Sequence, residues 1–382
     1  MPTYLSGNQT SSAQNANTIV REVDEQIYHL EPEVTPLTAL LNLAKQDEEV
    51  ENSTFYYQSQ QLMERWAYSD GGGSAILAAT TSVPVDDSTF INIGDIIKNP
   101  ATGEQMLCTA KADSTHFTAT RGFGATSAAN IADNQYLLIV GNASAENADT
   151  PAAISRDIDT DSNYTQIFRR SMNISGTAQA TKYYSGNLQQ RLLRELGMEF
   201  AKDMELSALF GEKKSGTTRV SGGLRPFIST NVYNAAGTLT EDNFEKNFLE
   251  PLFRYGSSEK AFFCSPRLCS TVDFWGRSKL VLNVDDNMSA VLGCRVLTYT
   301  STHGELKVIR HKLLENSYSG AGFAVDMKNF RRVHLKGRKP QLKMNRQGNG
   351  IDGFIHEMIG EVGWKPINEK THGFIYGVTG GA

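Results

Sequence analysis

GNLQQRLLRELGMEFAKDMELSALFGEKK, residues 186–214, is the stretch on which the fold turns. Its apolar residues Leu193, Leu196, Phe200, Met204 and Ala208 recur in steps of three and four, the period of a helix that buries one face. Asn187, with Gln190 three residues on, forms a capping-box-like start that satisfies free backbone N–H groups. Gly211 marks the end, with Lys213 and Lys214 placed to suit the C-terminal dipole. At about 1.5 Å per residue the helix measures on the order of 40 Å, long against the usual three turns. Such a helix crosses a whole domain. Gly197 in its middle costs about 1 kcal/mol relative to alanine, which predicts a close helix–sheet contact or a bend there. The acidic positions Glu195, Glu199, Asp203 and Glu205 are expected on its solvated face.

On the N-terminal side, a Ser/Thr/Asn/Gln-rich arm of about 18 residues precedes IVREVDEQIYHLEPEVTPLTALLNLAK. Ile19, Val23, Ile27 and Leu30 there have helical spacing, Pro32 and Pro36 interrupt it, and a second short helix is expected at about Pro36–Ala44. Residues 53–68 (STFYYQSQQLMERWAY) mix aromatic and polar residues as in an extended, exposed strand. The short alternating segments between 80 and 141, separated by NPATG, KADST and GATSAAN, predict a small all-β barrel or sandwich. A polar, acidic linker (142–161) leads to YTQIFRRSMNISGTAQA, which alternates again. Two extended stretches, 53–68 and 163–180, thus bracket the β module. If they pair, the module rides at the tip of a long hairpin.

On the C-terminal side, a helix is expected from Thr240-Glu241-Asp242 to about Tyr255. KAFFCS then reads as a buried strand, PRLCSTVDFWGRS as a helix opened by Pro266, and CRVLTYTS and ELKVIRHKLL as strands. This alternation indicates an α/β subdomain. The last sixty or so residues are strand-rich.

The 382 residues leave room for two or three domains, and 40% hydrophobic with 21% charged residues is a soluble globular composition. A formal charge of −5 gives no electrostatic case for a dedicated nucleic-acid binder. No run approaches the roughly 18 apolar residues that cross a bilayer, so no membrane is expected, and the polar N-terminus does not read as a secretory signal. Cys108, Cys264, Cys269 and Cys294 lack a paired framework; free, mostly structural thiols in a reducing cytosol are expected.

Signatures of catalysis fail one by one. His356-Glu357 lacks the second histidine of HExxH. GEKKSGT (211–217) has neither the lysine nor the preceding strand of a phosphate loop. Arg121-Gly122-Phe123-Gly124-Ala125-Thr126 reads as a turn between strands. Cys264 and Cys269 are five apart with no CxxC pair, which does not describe a zinc site. No enzymatic activity, cofactor or metal is expected. One charge feature stands out, the basic run Arg331, Arg332, Lys336, Arg338, Lys339, Lys343 and Arg346. It fits phosphates or an acidic neighbour; a solvated strand face balanced by acids elsewhere is the plainer reading.

The order of elements resembles the major capsid protein of tailed bacteriophages with the Hong Kong 97-type fold. The stretches IYHLEPEVTPLTALL, IGDIIKNPATGEQMLCTA, RGFGATSAA, YTQIFRRSMNISGTAQA, GGLRPFI and HEMIGEVGWKPINEKTHGFIYG are similar to the SU-ten-type major head protein family. The resemblance implies an α+β capsid fold. Its parts would be an N-terminal arm (1–52), an extended β-hairpin loop (53–79 and 142–181) carrying an inserted small β module (80–141), a spine helix (182–216), an axial α/β domain (217–320) and peripheral strands (321–382). It implies a subunit that assembles into hexamers and pentamers of an icosahedral head around double-stranded DNA. The virion would be its location and the host bacterial cytoplasm its place of assembly. A separate scaffolding protein, a portal and a decoration or cement protein are the further partners. Phe55, Tyr57, Trp66, Arg169, Arg170, Leu193, Phe200, Arg331, Arg332, Arg338 and Lys339 are the assembly contacts expected, the aromatic ones because a lone chain would expose them. An encapsulin-like compartment shares the fold, while a ligand-binding protein or enzyme using the β module, or a tail-tube or adhesin protein, belongs to another class.

Overall fold

The computed structural model describes residues 35–60, 63–146, 153, 155, 157–183, 186–279, 282–284 and 296–381. The arm motif Ile19–Leu30, Pro32 and Cys294 lie outside them. Two compact units emerge, residues 1–57 with 161–382, and residues 58–160.

In the first unit the described residues form a seven-stranded sheet and a five-stranded sheet. Strand Glu259–Cys264 sits near the middle of the larger sheet, parallel to Glu305–Arg310 on one side and antiparallel to Gly322–Val325 on the other. Its alternation explains the packing. Ala261 and Phe263 point into one core, with Phe323, Phe374 and Ile309. Phe262 and Cys264 point into another, with Phe244, Phe248, Leu268 and Val272. A strand buried on both faces reads as the continuous apolar run AFFC, residues 261–264, for this reason.

The long helix runs Leu188–Phe210, and Asn187 caps it by accepting from the N–H groups of Gln189 and Gln190. Its 23 residues span about 35 Å. It ends short of Lys213 and Lys214, so these lysines do not serve its last turn; Lys213 instead pairs with Asp161 at 3.6 Å. Leu196, Phe200, Met204 and Ala208 are buried as their period requires. Gly197 meets no close contact: a Cβ there would enter open space. Gly211 ends the helix for a reason other than handedness. Its φ is an ordinary −56°, but a Cβ would lie 2.4 Å from the Ser221 carbonyl oxygen.

The smaller sheet corrects the pairing expected for the extended stretches. Strand Gln166–Ser175 lies antiparallel along Gly353–Pro366, in register from Gln166 opposite Val362 to Ser175 opposite Gly353. Thr54–Ser59 pairs instead with Asp159–Tyr164. Phe55 and Tyr57 are therefore not exposed in the lone chain. They are buried with Val333, half-buried Val50, Phe227 and Ile367 completing the cluster. Cys264 and Cys269 are also not free thiols. The strand's end and the first turn of helix Pro266–Lys279 bring their Cα atoms to 5.8 Å, and a disulfide joins them. Cys108 is free and buried, its thiol pushed up to about 11 by desolvation.

The second unit is a closed barrel and is larger than the 80–141 module expected, because it takes in strand 66–68 from the stretch expected as extended loop. Six strands follow the order 66–68, 136–142, 95–98, 105–111, 116–120, 82–84. The seam is closed by the Ser69–Val85 bridge, with Asp70 N–H donating to the Pro84 carbonyl (3.1 Å) and Asp86 N–H to that of Tyr68 (3.0 Å). Val83, Ile97, Met106, Phe117 and Leu137 fill the interior. Between them, the Arg121 turn is pinned by a buried ion pair. Arg121 donates twice to Glu104, Nε to Oε1 at 2.7 Å and Nη2 to Oε2 at 2.8 Å. Burial opposes ionisation of Glu104, yet Arg121 and the N–H groups of Ala129 and Gly122 hold its carboxyl below the usual range. Gly122 (φ +62°) makes the turn itself.

Candidate assembly surfaces

The basic run emerges on two strands and the loop that joins them. Phe330–Leu335 pairs in parallel with the short strand Asp47–Val50 and antiparallel with Gly353–Pro366, and Gln341–Lys343 also pairs with Gly353–Pro366. The sequence DEEVE, residues 47–51, thus runs beside the arginines. Asp47 takes Arg332 Nε at 3.2 Å, His334 Nδ1 at 3.1 Å and Lys339 Nζ at 3.0 Å. Glu48 takes Arg331 at 3.5 Å and Lys365 at 2.9 Å; Glu51 takes Lys336 at 3.2 Å. Burial would raise the Asp47 carboxyl, but hydrogen bonds from Arg332 and Lys339 and the Arg332 charge outweigh it and bring the value to about 2.

A second acidic row comes from strand Gly353–Pro366. Glu357 and Glu361 are both buried, and a spacing of four puts them on one face of the strand. Glu361 accepts from Arg338 Nε (2.8 Å), Arg219 Nη2 (3.1 Å) and Thr165 Oγ1 (2.7 Å). Glu357 pairs with Arg169 and, at 3.6 Å, with Arg346. Arg170, on the opposite face from Arg169, forks onto Asp203 of the long helix, Nε to Oδ2 at 2.6 Å and Nη2 to Oδ1 at 2.9 Å.

Most of the expected contact residues therefore already have partners inside the chain. Arg331, Arg332, Arg338, Lys339, Arg169 and Arg170 are spent on intramolecular acids, Arg332 almost wholly buried. Phe200 is buried beside Phe168, and Leu193 is half-buried against Met172, Ile174 and Leu196. Trp66 alone of the expected aromatics stands out from the surface, 37% exposed on the barrel. The acid run at 47–51 carried the missing signal, because its sign complements the part of the basic run at 331–339.

The long helix also overturns the expectation that Glu205 is solvated. Its carboxylate is fully buried and accepts the N–H groups of Leu37 (2.7 Å) and Thr38 (2.9 Å), the Thr38 hydroxyl (2.5 Å) and His311 Nε2 (3.0 Å). Thr35 gives helix Pro36–Leu43 no side-chain cap, so Glu205 supplies it from 167 residues away. Among the described residues, no cluster of His, Cys, Asp and Glu is arranged to hold a metal, and no helix is long and apolar enough to cross a membrane.

A long helix between a mixed sheet and a smaller one, with a barrel inserted ahead of it, defines a phage-capsid architecture of the Hong Kong 97 type. The capsid subunit of a native GTA particle aligns over 97% of this chain and 99% of its own, at 11% identity and TM-score 0.50. The chain belongs to the SU10 major capsid protein family, which it matches over residues 6–379. It is also similar to the major capsid protein of Pseudomonas phage PaMx41, with 26% identity over 292 residues, 72% of this chain and 69% of that one. The holo-SrpI encapsulin of Synechococcus elongatus PCC 7942 overlaps only 58% of this chain and 78% of its own, at 12% identity and TM-score 0.38. That likeness is too partial to bear on function.

Proposed function

We propose that the chain builds the head of a tailed phage as hexamers and pentamers of one icosahedral shell, enclosing double-stranded DNA. The observation that carries this is the family match over residues 6–379. The charge pairing described above supports it. With the 331–346 run largely paired with acids at 47–51, 357 and 361, that run does not form a concentrated cationic groove that would collapse onto DNA before packaging. We assign residues 1–52 to an arm, 53–79 and 142–181, less the strands they give to the barrel and the smaller sheet, to the extended loop, 182–216 to the spine, 217–320 to the axial part and 321–382 to the periphery. A separate scaffolding protein, a portal and a cement protein complete the particle, which forms in the host cytoplasm. The role is structural, without catalysis.

Negative-stain electron microscopy with light scattering, on the chain alone and with its genomic neighbours, tests this reading. Closed shells or six- and five-membered rings are expected. A monodisperse monomer under every condition, a scaffold included, would sink it.

A further inference from the structure

The barrel carries an apolar face that its own fold does not use. Ala67, Leu137, Ile139 and Ile97 point into the interior. The alternate positions Trp66, Tyr68, Tyr136, Leu138, Val140 and Ile96 therefore stand on the outside, on three adjacent strands. Val140 is 58% exposed and Tyr136 53%. The rings are locked together rather than scattered, Tyr68 on Tyr136 at 4.0 Å and Trp66 edge-on to Tyr136 at 5.9 Å. In register, Trp66, Leu138 and Lys98 follow one another across the strands, and exposed Glu64 precedes Trp66 by two, so one cation and one anion flank the apolar ladder.

We infer that this face is a self-association surface, which meets the same face of a second copy in the assembled shell. Three facts select that occupant. The barrel is bridged at the Ser69–Val85 seam, so its described strands leave a neighbour only short stretches of edge and docking falls to a face. The face is apolar with one cation and one anion at its margin, so two copies meet without an excess of like charge. Its size decides between partners. At strand spacings of about 4.8 Å and rises of about 3.3 Å per residue, it covers on the order of a few hundred Å². Two such faces bury less than the roughly 1,000 Å² of a stable free-standing interface. The contact holds only where other contacts already keep the partners together, which a shell lattice provides for copies of one chain. The inference rests on the shell reading above.

Charge exchange in assembled shells tests it. Val140→Lys and Val140→Glu, at an exposed position, leave the unassembled subunit with the parent's circular dichroism and melting temperature. Shells of either variant alone form at least ten-fold less well, or melt at least 5 °C lower, than parent shells. Co-assembly of the two variants in equal amounts recovers at least half of the loss, because Lys then meets Glu. In a Cys294→Ser background, Tyr136→Cys or Val140→Cys shells give subunit dimers with a bifunctional thiol reagent, and Ser114→Cys shells do not. Parent-like shells from both charge variants, or a mixture no better than either, overturn the inference while the shell reading stands. Failure of the parent chain itself to form shells overturns both.

Discussion

His311 and Glu205 share no solvent, yet their side chains meet at 3.0 Å in the centre of the larger unit. The carboxylate also holds the first N–H groups of helix Pro36–Leu43. One group thus fastens three segments: the chain ahead of the sheets, the long helix, and the loop after strand Glu305–Arg310.

Glu205→Ala leaves those donors buried and unpaired. Loss of one partner from a buried charged network costs about 3–5 kcal/mol, and Glu205→Gln, which keeps an acceptor, about 1–3 kcal/mol. Urea unfolding of the unassembled subunit measures both. Equal, small losses would contradict the role given to the carboxylate.

Acid should weaken the subunit through Asp47. Its folded value of about 2 lies below the ordinary 3.8, so its contribution is complete above pH 4 and lost as the pH falls toward 2. The depression is worth about 2 kcal/mol. Asp47→Asn lacks that contribution at pH 7 and shows a flatter decline between pH 4 and 2 in denaturant titrations.

Alkali should do the reverse through Lys260. This lysine is buried, donates to the carbonyls of Thr371 (2.7 Å) and Tyr255 (3.1 Å), and lies 3.9 Å from Asp326. Burial, only partly offset by Asp326, brings it from 10.5 to about 8. Between those values the unfolded chain binds more protons, so its contribution to stability rises with pH by about 3 kcal/mol. Unfolding free energies at pH 7.5 and 10 measure this rise, and its persistence in Lys260→Met would assign it to another group.

Two glycines, one inside the long helix and one at its C-terminal end, should respond in opposite directions. Gly197→Ala gains about 1 kcal/mol because a methyl enters open space in a helix interior. Gly211→Ala loses about 1–3 kcal/mol because its methyl meets the Ser221 carbonyl. Thermal melts of the two variants side by side give the sign of each.

What could be read from the chain alone was whatever is local. The period of Leu196, Phe200, Met204 and Ala208 marked the helix, and the alternation in QMLCTA and the short apolar run YLLIV marked barrel strands. Pairing between distant segments was not legible. Nothing near Ile167 announces that its opposite number is Glu361, and the 53–68 stretch offered an equally good pattern. The candidate surface suffered from the same blindness. The arginines at 331 and 332 were conspicuous, but their acids lie 283 and 285 residues away, so a run that looked free was already matched. The disulfide was missed because a spacing of five fits no pairing motif; it depends on a strand ending where a helix begins.

The pairing of Thr54–Ser59 with Asp159–Tyr164 makes the barrel an accessory in the topological sense. The chain leaves one strand and returns on its neighbour, so to the rest of the subunit the intervening hundred or so residues count as a loop. Loop-closure entropy grows only logarithmically with length, about 0.6 kcal/mol per doubling. A different domain or a displayed foreign sequence of similar length would therefore close the same gap at nearly the same free energy. Heads could vary in their surface equipment while the subunit that bears it folds unchanged.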